Sequence, residues 1–201
     1  TKALLDMTDG NIPAYKLYEK LGFEHYSNSG MYTITPEEVP PEPPLPEGYH
    51  QEPLRYTDWQ SRYELEKRVT PEPLLKYEPV EKSRYRRTFL IRLLRPIVMA
   101  AQGYQRTDFV IRTNVGEVVA WAWYETRTRA SGVNRIEVML DPAHHQLASY
   151  LIHDLMHKTV SLSPGLRVEI IVPTWMDAVL TAVEEAGFTR RLGGLRMGLL
   201  L

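Results

Sequence analysis

The strand-like run KALLDM, residues 2 to 7, is followed by Ala14, Leu17, Tyr18 and Leu21 at helical spacing, and the helix stops at Gly22-Phe23. The pattern predicts a strand, a helix with a glycine C-cap and a short return strand. Two strands and one helix cannot bury both faces of a sheet, so this segment requires a partner. Residues 167 to 201 repeat the same order of strand, helix, Gly-Phe and closing strand. Gly22 and Gly187 stand 165 positions apart, and at that offset Ala3, Leu5 and Met7 fall on Val168, Ile170 and Val172. So long a period indicates a duplicated domain, since solenoid units repeat every ~20 to 50 residues.

Between the copies, residues 35 to 48 (TPEEVPPEPPLPEG) hold six prolines and four glutamates and read as a stiff, extended linker. The expected organisation is 1–34 as the C-terminal remnant of a first domain, 35–48 as linker and 49–201 as a complete second domain. That domain opens with a capping-box pattern, Thr57 to Gln60, and the helix WQSRYELEKRV. A second amphipathic helix is expected over EKSRYRRTFLIRLLRP, with Tyr85, Phe89 and Leu93 on its apolar side and Arg84, Arg87, Arg92 and Arg95 between. DFVIRT and VVAWAWYETR flank the turn NVGE, and VNRIEVML is a third strand. Leu147, Leu151 and Leu155 then mark a helix, and the second copy closes the chain. Helices, three meandering strands and a strand-helix-strand-helix-strand finish predict an α/β (α+β) fold, a mixed sheet with helices on both faces.

The 201 residues are 43% hydrophobic with formal charge −1, which supplies a core but no global attraction to nucleic acid or an anionic membrane. The chain has no cysteine, so thiol catalysis, disulfides and cysteine zinc sites are excluded. With no signal-like start and no long apolar run, a cytoplasmic protein is expected.

Asn11, Ala14, Leu17, Tyr18, Glu19, Lys20, Leu21, Gly22 and Phe23 form N-x-x-A-x-x-L-Y-E-K-L-G-F. This resembles the last motif of the GNAT N-acetyltransferases. The resemblance implies a GNAT-like, mostly antiparallel mixed sheet of tandem type, with the second copy degenerate. It also implies acetyl-CoA as cosubstrate and a small-molecule or peptide amine as acceptor. Asn11 would contact coenzyme A, and Tyr18 would be the general acid that protonates the departing thiolate. In the second domain the corresponding strand end includes Glu137, a candidate base acting through water, and Leu140, whose backbone N–H would meet the thioester carbonyl. At the 165 offset, however, Asn11 becomes Met176 and Tyr18 becomes Val183. The family's pyrophosphate loop needs glycines for close backbone approach, and none stands between Pro142 and Leu151.

Each feature also has a plainer reading. Tyr18 could pack as a helix-face aromatic, and Glu137 could be a solvated strand carboxylate. His153 and His157 share helical spacing, but no metalloprotease motif accompanies them, so no metal is expected. The arginines of 84–95 read as a basic face, and Trp121 and Trp123 as a packed sheet face or a substrate wall. Two functions are therefore expected in competition. One is a GNAT-type acetyl transfer active in a longer parent chain. The other is a silent GNAT-fold domain for dimerisation, substrate shaping or ligand binding. The apolar faces of residues 1–34 should pack on the second domain, or on that of a neighbouring copy in a homodimer.

Overall fold

The computed structural model describes residues 2–85, 94, 97–128 and 131–201. Most of the arginine-rich helix expected over 81–96 lies outside them. In chain order the strands are β1 (Lys2–Thr8), β2 (Glu24–Ile34), β3 (Tyr49–Pro53), β4 (Tyr104–Thr113), β5 (Val118–Arg127), β6 (Val133–Leu140), β7 (Arg167–Pro173) and β8 (Thr189–Leu200). Helices bounded within the described residues are α1 (Ile12–Lys20), α2 (Trp59–Val69), α3 (Glu72–Tyr77), α4 (Leu147–Leu162) and α5 (Asp177–Glu185). Helix α2 begins where expected, but the Asp58 carboxylate does the tying there. It accepts from the Arg55 amide at 2.7 Å and from Arg112 at 2.6 Å.

All eight strands form one sheet in the order β1-β8-β2-β7-β6-β5-β4-β3. Only β6 and β7 run parallel, joined by the α4 crossover; the other ladders are antiparallel. One core lies under α4 and α5 and includes Ile111, Leu151, Leu155, Val168 and Ile170; a smaller one under α2 includes Leu65, Val110, Trp121 and Trp123. The mixed, mostly antiparallel sheet with helices on both faces is the expected class.

The return strand expected to be short is 11 residues long, and it inserts between β7 and β8. Its ladders carry the duplication into three dimensions. Ala3 pairs with Leu199; shifting each by 165 positions, in opposite senses, gives Val168 and Ile34, which also pair. His25 pairs with Met197, and the same operation gives Tyr32 and Arg190, another observed pair. The bulges obey it too: the β2–β8 ladder skips Tyr26 on one strand and Arg191 on the other. An antiparallel ladder that maps onto itself has its two-fold axis perpendicular to the sheet. Helices α1 and α5 therefore lie on the same face.

The two copies differ in cover. On α5, Val179, Ala182 and Val183 are at most 3% exposed, because α4 lies alongside. On α1 nothing is buried, and Leu17 and Leu21 are more than half exposed. The N-terminal segment is held on the rest of the chain by its strands, while among the described residues its helix has no counterpart of α4 beside it. Strand β1 likewise has β8 on one side and a free edge on the other. The linker runs without strand or helix along α4, where the Pro40 carbonyl meets His157 Nδ1 at 2.7 Å.

Deleting residues 1–34 removes the common neighbour of β7 and β8 and uncovers both edges. Residues 35–201 are expected to lose cooperative thermal unfolding and to self-associate in sedimentation. A monomeric fragment with an unchanged melting transition would contradict the inserted strand.

Candidate active site

Pairing between β6 and β7 extends only from Val133↔Arg167 to Ile136↔Ile170. Beyond it β6 follows β5 as far as Ala120↔Leu140, and β7 follows β2 as far as Ser29↔Pro173. Each strand obeys a different neighbour, so the sheet forks between residues 137–140 and 171–173. The fork's base is pinned by Asn134, fully buried, whose Oδ1 accepts from the Arg127 amide at 3.0 Å and whose Nδ2 donates to the Ser163 carbonyl at 3.2 Å.

The Asp141 amide donates to the Val119 carbonyl at 2.9 Å. Amides alternate in direction along a strand, so those of Leu140 and Val138 face away from β5, into the fork. On the α4–α5 side the fork opens into a cavity of about 210 Å³ lined by Leu140, Pro142, His145, Trp175, Met176 and Val179. On the α2 side lies a cluster of charges and rings. The Arg62 guanidinium lies 3.8 Å above the Trp121 ring and that of Arg106 lies 3.7 Å above Trp123. Arg106 also grips Asp108 through two bonds of 3.0 and 2.8 Å. Tyr85 donates its hydroxyl to Glu66.

Glu137 pairs with Trp123 across β5–β6 and so shares this face. Burial raises its carboxyl above the ordinary 4.5, against the opposing pull of Arg106. The Trp123 indole N–H, which lacks a full hydrogen bond of its own, leans the same way as Arg106. A partly buried carboxyl of raised proton affinity at a strand fork is a candidate for a general base.

The loop that opens α4 offers few free amides. Ala143 N–H donates to the Asp141 carboxylate at 2.9 Å, His144 N–H to the Asp141 carbonyl at 2.9 Å, and Ala148 N–H to the His145 carbonyl at 3.0 Å. Tyr49 ties the loop from outside, 2.8 Å from His144 Nδ1 and accepting from Gln146 Nε2 at 2.6 Å. The Asp141 carboxylate is itself held by Arg68 at 2.7 Å.

The four residues expected from the sequence fall in two places. Glu137 and Leu140 stand together on one wall of the fork. Asn11 and Tyr18 lie on the β1–α1 unit, four strand spacings away, or about 19 Å at ~4.8 Å each. Asn11 caps α1, its Oδ1 accepting from the Ala14 amide at 3.3 Å, and Tyr18 meets Phe23 edge to face at 5.7 Å. His153 and His157 bond separately, to the Ser149 and Pro40 carbonyls. Among the described residues no group of three or more His, Asp or Glu side chains gathers to hold a metal. Sequence reasoning did not find Trp175, the stacked arginines or the Tyr49 and Asp141 ties; for Trp175 the signal was its place in the second copy, opposite Gly10 in the first.

No family model and no curated protein matches the sequence. Solved structures do match the fold. A GCN5-related N-acetyltransferase from Sphaerobacter thermophilus superposes with a TM-score of 0.65 at 14% identity, over 99% of this chain and 59% of that one. A tandem GNAT protein from the clavulanic acid biosynthesis pathway gives 0.58 at 14% identity, over 98% of this chain and 63% of that one. A spermidine N-acetyltransferase from Vibrio cholerae, solved in complex with CoA and spermine, gives 0.51 at 14% identity, over 77% of this chain and 96% of that one. The chain thus spans about three-fifths of the length of the first two. It has the GNAT fold.

Because burial raises the Glu137 carboxyl, ionising it costs folding free energy. That cost is absent below the ordinary 4.5, grows as pH rises through the raised folded-state value, and is complete above it. Glu137→Gln is therefore expected to be more stable than the parent at neutral pH, with the gap closing as the solution is acidified. Denaturant unfolding across the acid-to-neutral range checks this, and a variant less stable at neutral pH would contradict it.

Proposed function

We propose that the chain serves a GNAT-type acetyl transfer from acetyl-CoA to an amine, with the chemistry at the first copy and the second copy acting as its partner without turnover. The observation that carries this reading is the duplicated frame. Strand β7 has β6 alongside it in parallel; β1, its two-fold mate, has the same register on β8 and a free outer edge. A strand laid parallel along β1 by a preceding domain of the same polypeptide would complete a first fork, into which Asn11 and Tyr18 would be carried.

In that fork the amine nitrogen attacks the thioester carbonyl carbon, the carbon–sulfur bond breaks, and the thiolate takes a proton from the Tyr18 hydroxyl. The amine's surplus proton leaves to water. Likeness to a spermidine acetyltransferase supports an amine acceptor at the level of the fold. The second fork retains a base-like Glu137 and the inward amide of Leu140, but Met176 and Val183 replace Asn11 and Tyr18, and the loop amides beside Asp141 are already engaged. These features favour a supporting role, in shaping the acceptor site or in subunit contact. No helix of the described residues is long and apolar enough to cross a membrane. A cytoplasmic setting, where acetyl-CoA is consumed, fits this reading.

The test compares residues 1–201 with the chain extended upstream, using acetyl-CoA and an amine panel that includes spermine. Transfer is expected only in the extended chain. Tyr18→Phe is expected to slow it roughly 10²- to 10⁴-fold with little change in stability, since only a hydroxyl is lost. An unchanged rate would remove Tyr18 from the mechanism, and an inactive extended chain would sink the proposal.

A further inference from the structure

The loops at the two ends of the two-fold relation share their bonds to β8 and β2 but differ in conformation at one position: Gly10 has φ +85° and its carbonyl accepts from the Ile12 amide at 2.9 Å, whereas Trp175 lies outside the left-handed region. The Asp9 amide donates to the Gly193 carbonyl at 2.8 Å, and the Thr174 amide donates to the Asn28 carbonyl at 3.0 Å. The Asn11 amide returns to the Thr8 carbonyl, and the Met176 amide to that of Pro173. Gly10 and Trp175 therefore stand at corresponding positions of the two copies, just before the helix, and Trp175 is the one beside a fork.

Their side chains could not differ more. Gly10 follows the edge strand β1, where a Cβ would meet nothing within 4 Å, and its φ of +85° disfavours a side chain. Trp175 instead packs against buried residues of both cores, the one under α4 and α5 and the one under α2. Those cores lie on opposite faces of the sheet. A ring touching both at this position sits where the ladder between β6 and β7 is absent. Its indole N–H is buried without a partner. What remains open beside it is about 210 Å³, below the roughly 300 to 1,000 Å³ of ordinary small-molecule pockets.

We propose that Trp175 is a built-in plug of the second fork: its indole fills the slot between β6 and β7 that a thioester arm would thread from the α4–α5 face to Glu137 on the α2 face. The inference rests on the acetyl-transfer reading for the meaning of the slot, but its physical content concerns this chain alone. Trp175 then decides ligand length. The second cleft accepts a short group against Leu140 and Met176 and excludes the extended pantetheine arm.

The experiment titrates the 201-residue chain with pantetheine, following amide shifts of Val138, Leu140 and Met176 by NMR and heat by calorimetry. The parent protein is expected to show no saturating shift at these amides. Trp175→Gly, which removes the ring, is expected to show saturating shifts and at least a tenfold gain in affinity. Trp175→Phe keeps a ring in the slot and is expected to gain nothing. Should the glycine variant fail to fold, the parent measurement still decides: saturating shifts at Val138 and Leu140 in the parent overturn the plug. A folded glycine variant that binds no better than the parent also overturns it. None of these readouts depends on acetyl transfer, so a failure of the acetyl-transfer reading remains distinguishable.

Discussion

The antiparallel seating of β2 between β7 and β8 is the constraint on which the rest of the molecule depends. Without it, β7 would have one neighbour and β8 none but β1. With it, β7 is held along residues 168–173 by a strand that leads it away from β6. The fork exists because β6 stays on β5 while β7 stays on β2. A segment from the far N-terminus thus shapes a cleft whose other residues come from the C-terminal half. The burial of Tyr32, Val168, Ile170 and Val172 in one core gives that seating its driving force, each side chain contributing about 1.5 to 3 kcal/mol when fully covered.

The two-fold register turns a weak sequence repeat into a quantitative one. Pairings, skipped residues, loop hydrogen bonds and the glycine that ends each helix all obey one offset. Against that common frame the differences acquire meaning. Glycine faces tryptophan just before the helix, asparagine and tyrosine face methionine and valine on the helix, and a free strand edge faces a parallel neighbour. One copy keeps polar groups and open space but lacks a wall; the other has both walls but filled space and a tied loop.

Much of the fold was legible in the sequence because it is local. VNRIEVML is β6 to the residue, Leu147, Leu151 and Leu155 do mark α4, and the Gly-Phe stops do follow α1 and α5. Strand β3 (YHQEP) was not, since three consecutive polar residues and a proline give no alternation to read. Nor was the insertion of β2, because strand order is decided by which distant edges meet. The same division holds at the site. Glu137 and Leu140 were expected on a strand end through a family resemblance, and the structure places both on β6 beside the fork. Trp175 was not, because its position in the fork follows from a loop's hydrogen bonds to β2 and from no motif. Leu17 and Leu21 form an apolar face that is exposed in the single chain, since periodicity reveals such a face and says nothing of what lies against it.

Native-state hydrogen exchange on residues 1–201 tests the central claim most directly. If β2 is a central strand, the amides of Met31, Tyr32 and Thr33 belong to the slowest class and exchange with those of Ile170 and Val172, through one global opening. Exchange of residues 24–34 at the rate of unstructured chain, while β7 remains protected, would contradict the inserted strand and with it the fork.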